Sequence, residues 1–175
     1  IFLVKNHINN MNINLICKKV NKNNFKKYGD IISINDKNYK EINNGYAYKF
    51  DNLADVDVSK KLGKTNISIY KSKPRSFPMK IEMLEKHPLG SQAFFPLENI
   101  SYLIVVAPPS DIPSFNEIES FIVPPQTGIN YKIGVWHYPL ISLIESNFLV
   151  IDRKGPEENL NIYKFKDESI ILNHE

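Results

Sequence analysis

The sequence predicts a mainly β fold, a closed barrel or jelly roll carrying one or two short helices. Three observations lead there. Short apolar or alternating runs recur from residue 66 onward, each bounded by Pro, Gly, Asn or Asp. No stretch keeps helical periodicity beyond a few turns. At 175 residues the chain suits one domain with a substantial core. The proline-rich connections at 108–113 and 124–128 fall inside that domain, because neither flanking segment could build a core alone.

Taken in order, the elements read as follows. Residues 1–10 precede Met11 and are Asn-rich. They read as an N-terminal extension, expected to be poorly packed, before a single domain over 11–175. Residues 13–20 suit a strand. Asn21 is placed to cap a short helix over 22–27. Tyr28-Gly29-Asp30 turns the chain into a strand at 31–34. Residues 52–62 offer a second short helix, closed by Gly63. Strands are then expected at 66–69, 79–87, 92–95, 102–107, 117–123, 140–145, 148–151 and 162–165.

Composition narrows the function. The charged and hydrophobic fractions are those of an ordinary soluble globular protein. The longest apolar run, 102–107, is far short of the roughly 20 residues of a membrane span, and the N-terminal stretch lacks the pattern of a secretory signal. Cys17 is the single cysteine, which excludes an intrachain disulfide and favours a reducing, cytoplasmic setting. The net charge of +3 is spread along the chain. No zinc-finger spacing, recognition helix or basic-aromatic stripe is present, so neither nucleic acid nor membrane is an expected partner. A small anionic substrate is compatible with this balance.

Two runs carry chemistry: Glu85-Lys86-His87-Pro88-Leu89-Gly90-Ser91-Gln92 and Val135-Trp136-His137-Tyr138-Pro139. Strict alternation over 79–87 puts Ile81, Met83, Glu85 and His87 on one face. Lys80, Glu82, Leu84 and Lys86 fall on the other, the mostly charged face expected to meet water. The first face is apolar until it ends in Glu-x-His, which favours Glu85 over Glu82 as the functional acid. A carboxylate there needs a metal, a cation or a hydrogen-bond donor opposite it. Glu85, His87, Gln92 and His137 form a mixed oxygen and nitrogen set suited to a divalent transition metal with open positions. Taken alone, the same residues also read as a hydrogen-bonded rim pair and a satisfied core histidine. Trp136 reads as a packing residue or a pocket wall.

With these runs in place, the sequence resembles the ureidoglycolate lyase family of the cupin superfamily. The matching segments are Tyr28-Gly29-Asp30-Ile31-Ile32, Ile42-Asn43-Asn44-Gly45, the run from Glu85 to Phe94, Gly128-Ile129-Asn130-Tyr131, the run from Val135 to Leu140, and Ile151-Asp152-Arg153. They cover about Tyr28 to Arg153. The resemblance implies a double-stranded β-helix barrel, a homodimer, a divalent metal (nickel in this family) and cleavage of (S)-ureidoglycolate to glyoxylate and urea in allantoin and purine nitrogen breakdown. It implies Glu85, His87 and His137 as catalytic residues, with Glu85, His87, Gln92 and His137 as the metal set. Asn44, Lys71, Gln92, Asn130, Lys132, Tyr138 and Arg153 are implied in substrate binding. Arg153 also reads as an ion-pair partner of Asp152.

Two departures stand out. Tyr138 occupies a position where the family often has a second histidine. Lys71 stands where an arginine is common, and it keeps the charge without the bidentate fork. They leave open an enzyme acting on another small hydroxy- or oxo-acid, or a non-catalytic cupin that binds a small acid.

Overall fold

The computed structural model describes residues 12–34, 38–166 and 168–174. The extension expected at 1–10 lies outside the described residues. The chain opens with β1 (Asn12–Ile16), β2 (Lys18–Lys19), helix α1 (Lys22–Phe25) and β3 (Gly29–Ile32). A small hairpin follows, β4 (Lys40–Ile42) and β5 (Ala47–Lys49), and then the long β6 (Lys64–Ser72). Next come β7 (Met79–Lys80), β8 (Met83–Lys86), β9 (Gln92–Pro96), β10 (Tyr102–Ala107), β11 (Glu119–Val123) and β12 (Gly128–Tyr131). The last strands are β13 (Trp136–His137), β14 (Ile141–Ser142), β15 (Ser146–Lys154), β16 (Asn161–Lys164) and β17 (Ser169–Asn173).

These strands form three layers. A sheet ordered β16-β8-β13-β10-β11-β2 occupies the middle, with β14 also paired to β10. A five-stranded sheet, β3-β12-β9-β15-β6, faces one side of it. The three-stranded β1-β17-β7 covers the other. Strand β10, at the centre of the middle sheet, is dry on both faces. Tyr102, Ile104 and Val106 enter a core shared with Phe94, Ile129 and Phe148, while Leu103, Val105 and Ala107 enter a second core with Met79, Ile170 and Leu172. A strand buried on both faces reads as a continuous apolar run, which is how 102–107 reads. The fold is mainly β, as expected; the ladders form separate sheets and do not close into one ring.

The short helix forms where expected. The Asn21 side chain accepts from the backbone N–H groups of Asn23 and Asn24, and the Asn24 side chain returns a bond to the Asn21 N–H, a reciprocal cap. The second helix does not form. Within 52–62 only a 3₁₀ turn at Lys60–Leu62 appears, with Lys61 and Leu62 left-handed. Competing partners explain this: the Asp55 N–H donates to Asp30, the Asp57 N–H donates to the Ser91 hydroxyl, and the Ser91 N–H donates to the Asp57 carbonyl. The segment spends its polar groups on the five-stranded sheet instead of on itself.

Strict alternation over 79–87 also fails, because the strand breaks between Lys80 and Met83. Ile81 and Leu84, assigned above to opposite faces, are both fully buried in the second core, so Leu84 does not face water. Glu82 is exposed. Beyond the break, Glu85 points away from Leu84 toward the space between the middle and five-stranded sheets.

Candidate functional site

That space holds a pocket of about 480 Å³. Its polar wall is Glu85, His87, Gln92 and His137, brought by β8, β9, β13 and the loop after β8. Tyr131, Phe94, Ile129 and Leu140 form the apolar wall, and Tyr70, Lys71, Ser72, Tyr138, Pro139 and Leu160 complete the lining. Pairing of β8 with β13 sets Glu85 directly opposite His137. The Gly134 N–H donates to the His87 carbonyl at 3.0 Å, tying the two histidine-bearing runs together.

Both imidazoles are oriented by carbonyl oxygens, which can only accept. The His137 Nδ1–H therefore donates to the Val135 carbonyl at 3.0 Å, and the His87 Nδ1–H donates to the Asn159 carbonyl at 2.7 Å. For His137 this fixes the tautomer and turns the Nε2 lone pair into the pocket, and His87 Nε2 faces the same space. Asn159 is itself held, its Oδ1 accepting from the Leu89 N–H at 2.7 Å. His87 Nε2 lies 3.2 Å from Gln92 Oε1. Tyr131 stacks on the His137 ring at 4.3 Å and 17°, and the two histidine rings lie 5.2 Å apart.

The electrostatics follow from burial. Removal from water, reinforced by nearby His87 and opposed only by the Val135 bond, lowers the His137 pKa to about 3. Its 3.6 Å approach to Glu85 Oε1 is thus no ion pair, and it is too long for a hydrogen bond. Burial raises the Glu85 pKa, and His87 offsets only part of that. The His137 Nε2 atom is buried without any hydrogen-bond partner. An orphaned acceptor in a dry wall is costly unless something occupies the space before it. The donor atoms of Glu85, His87 and His137 all lie within 4.8 Å of one another. Two imine nitrogens and a carboxylate oxygen at that spacing fit a divalent transition metal.

The remaining sequence candidates divide. Lys71 and Tyr138 line the pocket, Lys71 also pairing with Glu145 at 3.0 Å. Four others are not brought to it. Asn130 points to the opposite face of β12, where its Nδ2 donates to Asp30 and to the Asp55 carbonyl. The Lys132 ammonium donates to the Lys26 carbonyl. Asn44 sits on the exposed turn of the β4–β5 hairpin. Arg153 is a clamp: it donates to the carbonyls of Lys60, Lys61 and Pro156. Gly63, Gly90 and Gly155 pack so closely on it that an added Cβ would come within 2.5, 2.5 and 3.1 Å of its side chain. Those contacts account for Arg153 and for Gly90 without a ligand, and no ion pair joins Arg153 to Asp152, which instead accepts from Asn66.

Sequence reasoning passed over Tyr131 and Asn159. Alternation would have found the first: Ile129 and Tyr131 share the inward face of β12, and Asn130 shares the other with Lys132. Asn159 acts through its main chain, which carries no signal in residue type.

Against this geometry, comparison with known proteins is decisive. A family model described as "Ureidoglycolate lyase" matches residues 12–172. The chain belongs to the ureidoglycolate lyase family. Among curated relatives of this lyase family, the ureidoglycolate lyase of Burkholderia mallei (strain NCTC 10229) is 42% identical over 138 residues, 78% of this chain and 81% of the relative. That of Pseudomonas syringae pv. syringae is 38% identical over 159 residues, covering 90% and 94%. That of Azotobacter vinelandii is 38% identical over 151 residues, covering 86% and 91%. No helix among the described residues is long and apolar enough to cross a membrane.

Proposed function

We propose that this chain is a ureidoglycolate lyase that splits (S)-ureidoglycolate into glyoxylate and urea in purine nitrogen breakdown. The observation that carries the site assignment is the pair of carbonyl-anchored histidines beside Glu85, with the buried His137 Nε2 left without a partner. The substrate carries its hydroxyl on the carbon bonded to the ureido nitrogen. Loss of the hydroxyl proton lets the carbonyl form. The C–N bond then breaks with its electron pair leaving on nitrogen, which takes up a proton to give urea.

Glu85 is the proton acceptor, because burial raises its pKa and strengthens it as a base. The same residue, protonated, is placed to return the proton to the departing nitrogen. Lys71 at the mouth offers the cation for the substrate carboxylate. His87 and His137, with Gln92 and Glu85, would hold a divalent metal, nickel by family resemblance. Such a metal supplies Lewis acidity that lowers the hydroxyl pKa. The domain over 11–175 is read as a cupin jelly roll whose facing sheets form the barrel walls. It works as a homodimer, and the single Cys17 fits a cytoplasmic setting.

The test is product release from ureidoglycolate, with and without chelator. Equal yields of urea and glyoxylate, reduced by chelation, are expected. Ammonia in place of intact urea would replace lyase chemistry with amide hydrolysis.

A further inference from the structure

Three tyrosines are buried among the described residues: Tyr28, Tyr102 and Tyr131. Two of them spend their hydroxyls inside the fold. Tyr28 donates to Glu119, and Tyr102 donates to the Thr127 carbonyl at 3.3 Å. A buried phenol usually finds such an acceptor. Tyr131 is the exception, because no described residue hydrogen-bonds its hydroxyl. Nor is that oxygen sealed in, as the unpartnered polar atoms of Ser68, Ser120 and Ser142 are. Tyr131 is 3% exposed and lines the pocket, so the space before its hydroxyl is the pocket itself.

The ring is held where it stands. It stacks on His137 and packs against Phe94 at 6.1 Å and Phe25 at 6.3 Å. The β9–β12 register sets Tyr131 directly beside Gln92, at the polar wall. Its surroundings also keep the proton on: burial, and then the nearby Glu85 carboxylate, raise the pKa. Tyr131 is therefore a neutral, fixed donor whose own chain gives it no acceptor.

The substrate supplies one. The Lys71 side chain at the mouth is 66% exposed, and with the carboxylate held there the ureido end of the substrate faces inward. When the C–N bond breaks, the electron pair leaving on nitrogen is shared with the adjoining carbonyl oxygen. Negative charge grows on that oxygen. A preorganised donor aimed at developing charge in a water-poor site acts far more strongly than the same donor in water.

We propose that the Tyr131 hydroxyl donates to the ureido carbonyl oxygen of the substrate and stabilises the charge that gathers there as urea departs. Tyr131 keeps its proton throughout, and the departing nitrogen still takes its proton from Glu85. Stacking on His137 is a separate task, which a phenylalanine ring would also perform. The charge-stabilising role rests on the lyase reading; recognition of a ureido group rests on the pocket alone.

Tyr131→Phe tests this, since it removes the hydroxyl and keeps the ring. Two ligands separate recognition from packing. N-carbamoylglycine carries the carboxylate and the ureido group but has no hydroxyl to start the cleavage. Glycolate carries the carboxylate and the hydroxyl but no ureido group. In calorimetric titrations the variant should bind N-carbamoylglycine roughly tenfold more weakly than wild type does, and glycolate equally well. With ureidoglycolate, kcat should fall by about 10²–10³-fold, with a smaller change in KM. Equal weakening of both ligands would make Tyr131 a packing support for His137 and overturn the proposal. Unchanged affinity for N-carbamoylglycine, or unchanged kcat in an active lyase, would also overturn it. If the wild type releases no urea from ureidoglycolate, the lyase reading fails, while the two-ligand comparison still decides whether Tyr131 reads a ureido carbonyl.

Discussion

Two carboxylates in this protein have opposite surroundings. Glu119 accepts a hydrogen bond from the Tyr28 hydroxyl and salt bridges from Lys18 and Lys27, each at 2.8 Å. Partial burial works to raise its pKa, but these three donors outweigh it and hold the pKa at about 2. Glu85 has no such donors. Its closest histidine contact is to a neutral imidazole at 3.6 Å, and burial raises its pKa. One cluster is complete in the folded protein. The other leaves a carboxylate and the His137 imine nitrogen waiting for a partner that the chain does not provide. A satisfied polar network specifies structure, whereas an unsatisfied one in a pocket marks a site.

The largest test of that contrast is activity. His137→Ala should lower kcat/KM by roughly 10²–10⁴-fold while far-ultraviolet circular dichroism stays native. Glu119→Gln should leave kcat/KM near wild type. Comparable losses in both would erase the distinction. Next in size is metal linkage. In chelator-treated protein, nickel at about 100 times its Kd should stabilise the fold by about 2.7 kcal/mol, seen as a rise in Tm. His87→Ala should show no such rise. An equal rise in the variant would place the ion elsewhere.

Arg153 extends the comparison to cations. It is 8% exposed and donates to three carbonyls, so it belongs with Glu119 among completed networks. Arg153→Ala should cost about 2–3 kcal/mol in urea unfolding, with KM for ureidoglycolate unchanged. A raised KM at unchanged stability would return Arg153 to substrate binding.

The sequence made the middle of this molecule legible and its periphery less so. Apolar runs such as 102–107 and the capping Asn21 speak through local rules, and both hold. The helix expected at 52–62 fails because its backbone partners, Asp30, Ser91 and Asn130, lie far away in sequence. The pairing of Glu85 with His137 rests on a β8–β13 register that no spacing reveals. Asn130 and Arg153 show the limit of motif transfer: a matching residue can be retained for the clamp it makes. The break at Ile81 shows the limit of alternation, although Glu85 does lie on a strand and face the pocket.

The smallest expected effects have opposite signs, and they test the contrast most sharply. Glu119 has a depressed folded pKa, so its contribution is present above the unfolded carboxylate value of roughly 4.3 and is lost as pH falls through about 2. Its lysine partners are 61% and 52% exposed, so the effect is discounted for solvent screening to about 1 kcal/mol. Glu119→Gln should therefore be less stable than wild type at pH 7, the gap closing toward pH 2. Glu85 has a raised folded pKa, so the native state holds its proton longer than the unfolded chain, and stability falls as pH rises through the folded value. In metal-free protein Glu85→Gln should match wild type near pH 4 and exceed it at pH 8. His137 adds an acid limb between roughly 6.5 and about 3, but that limb is common to wild type and both variants and cancels in the differences. Urea midpoints measured across pH 3–8 would read the two slopes directly, and a Glu85→Gln variant less stable than wild type at pH 8 would mean that the folded chain already provides Glu85 with a partner.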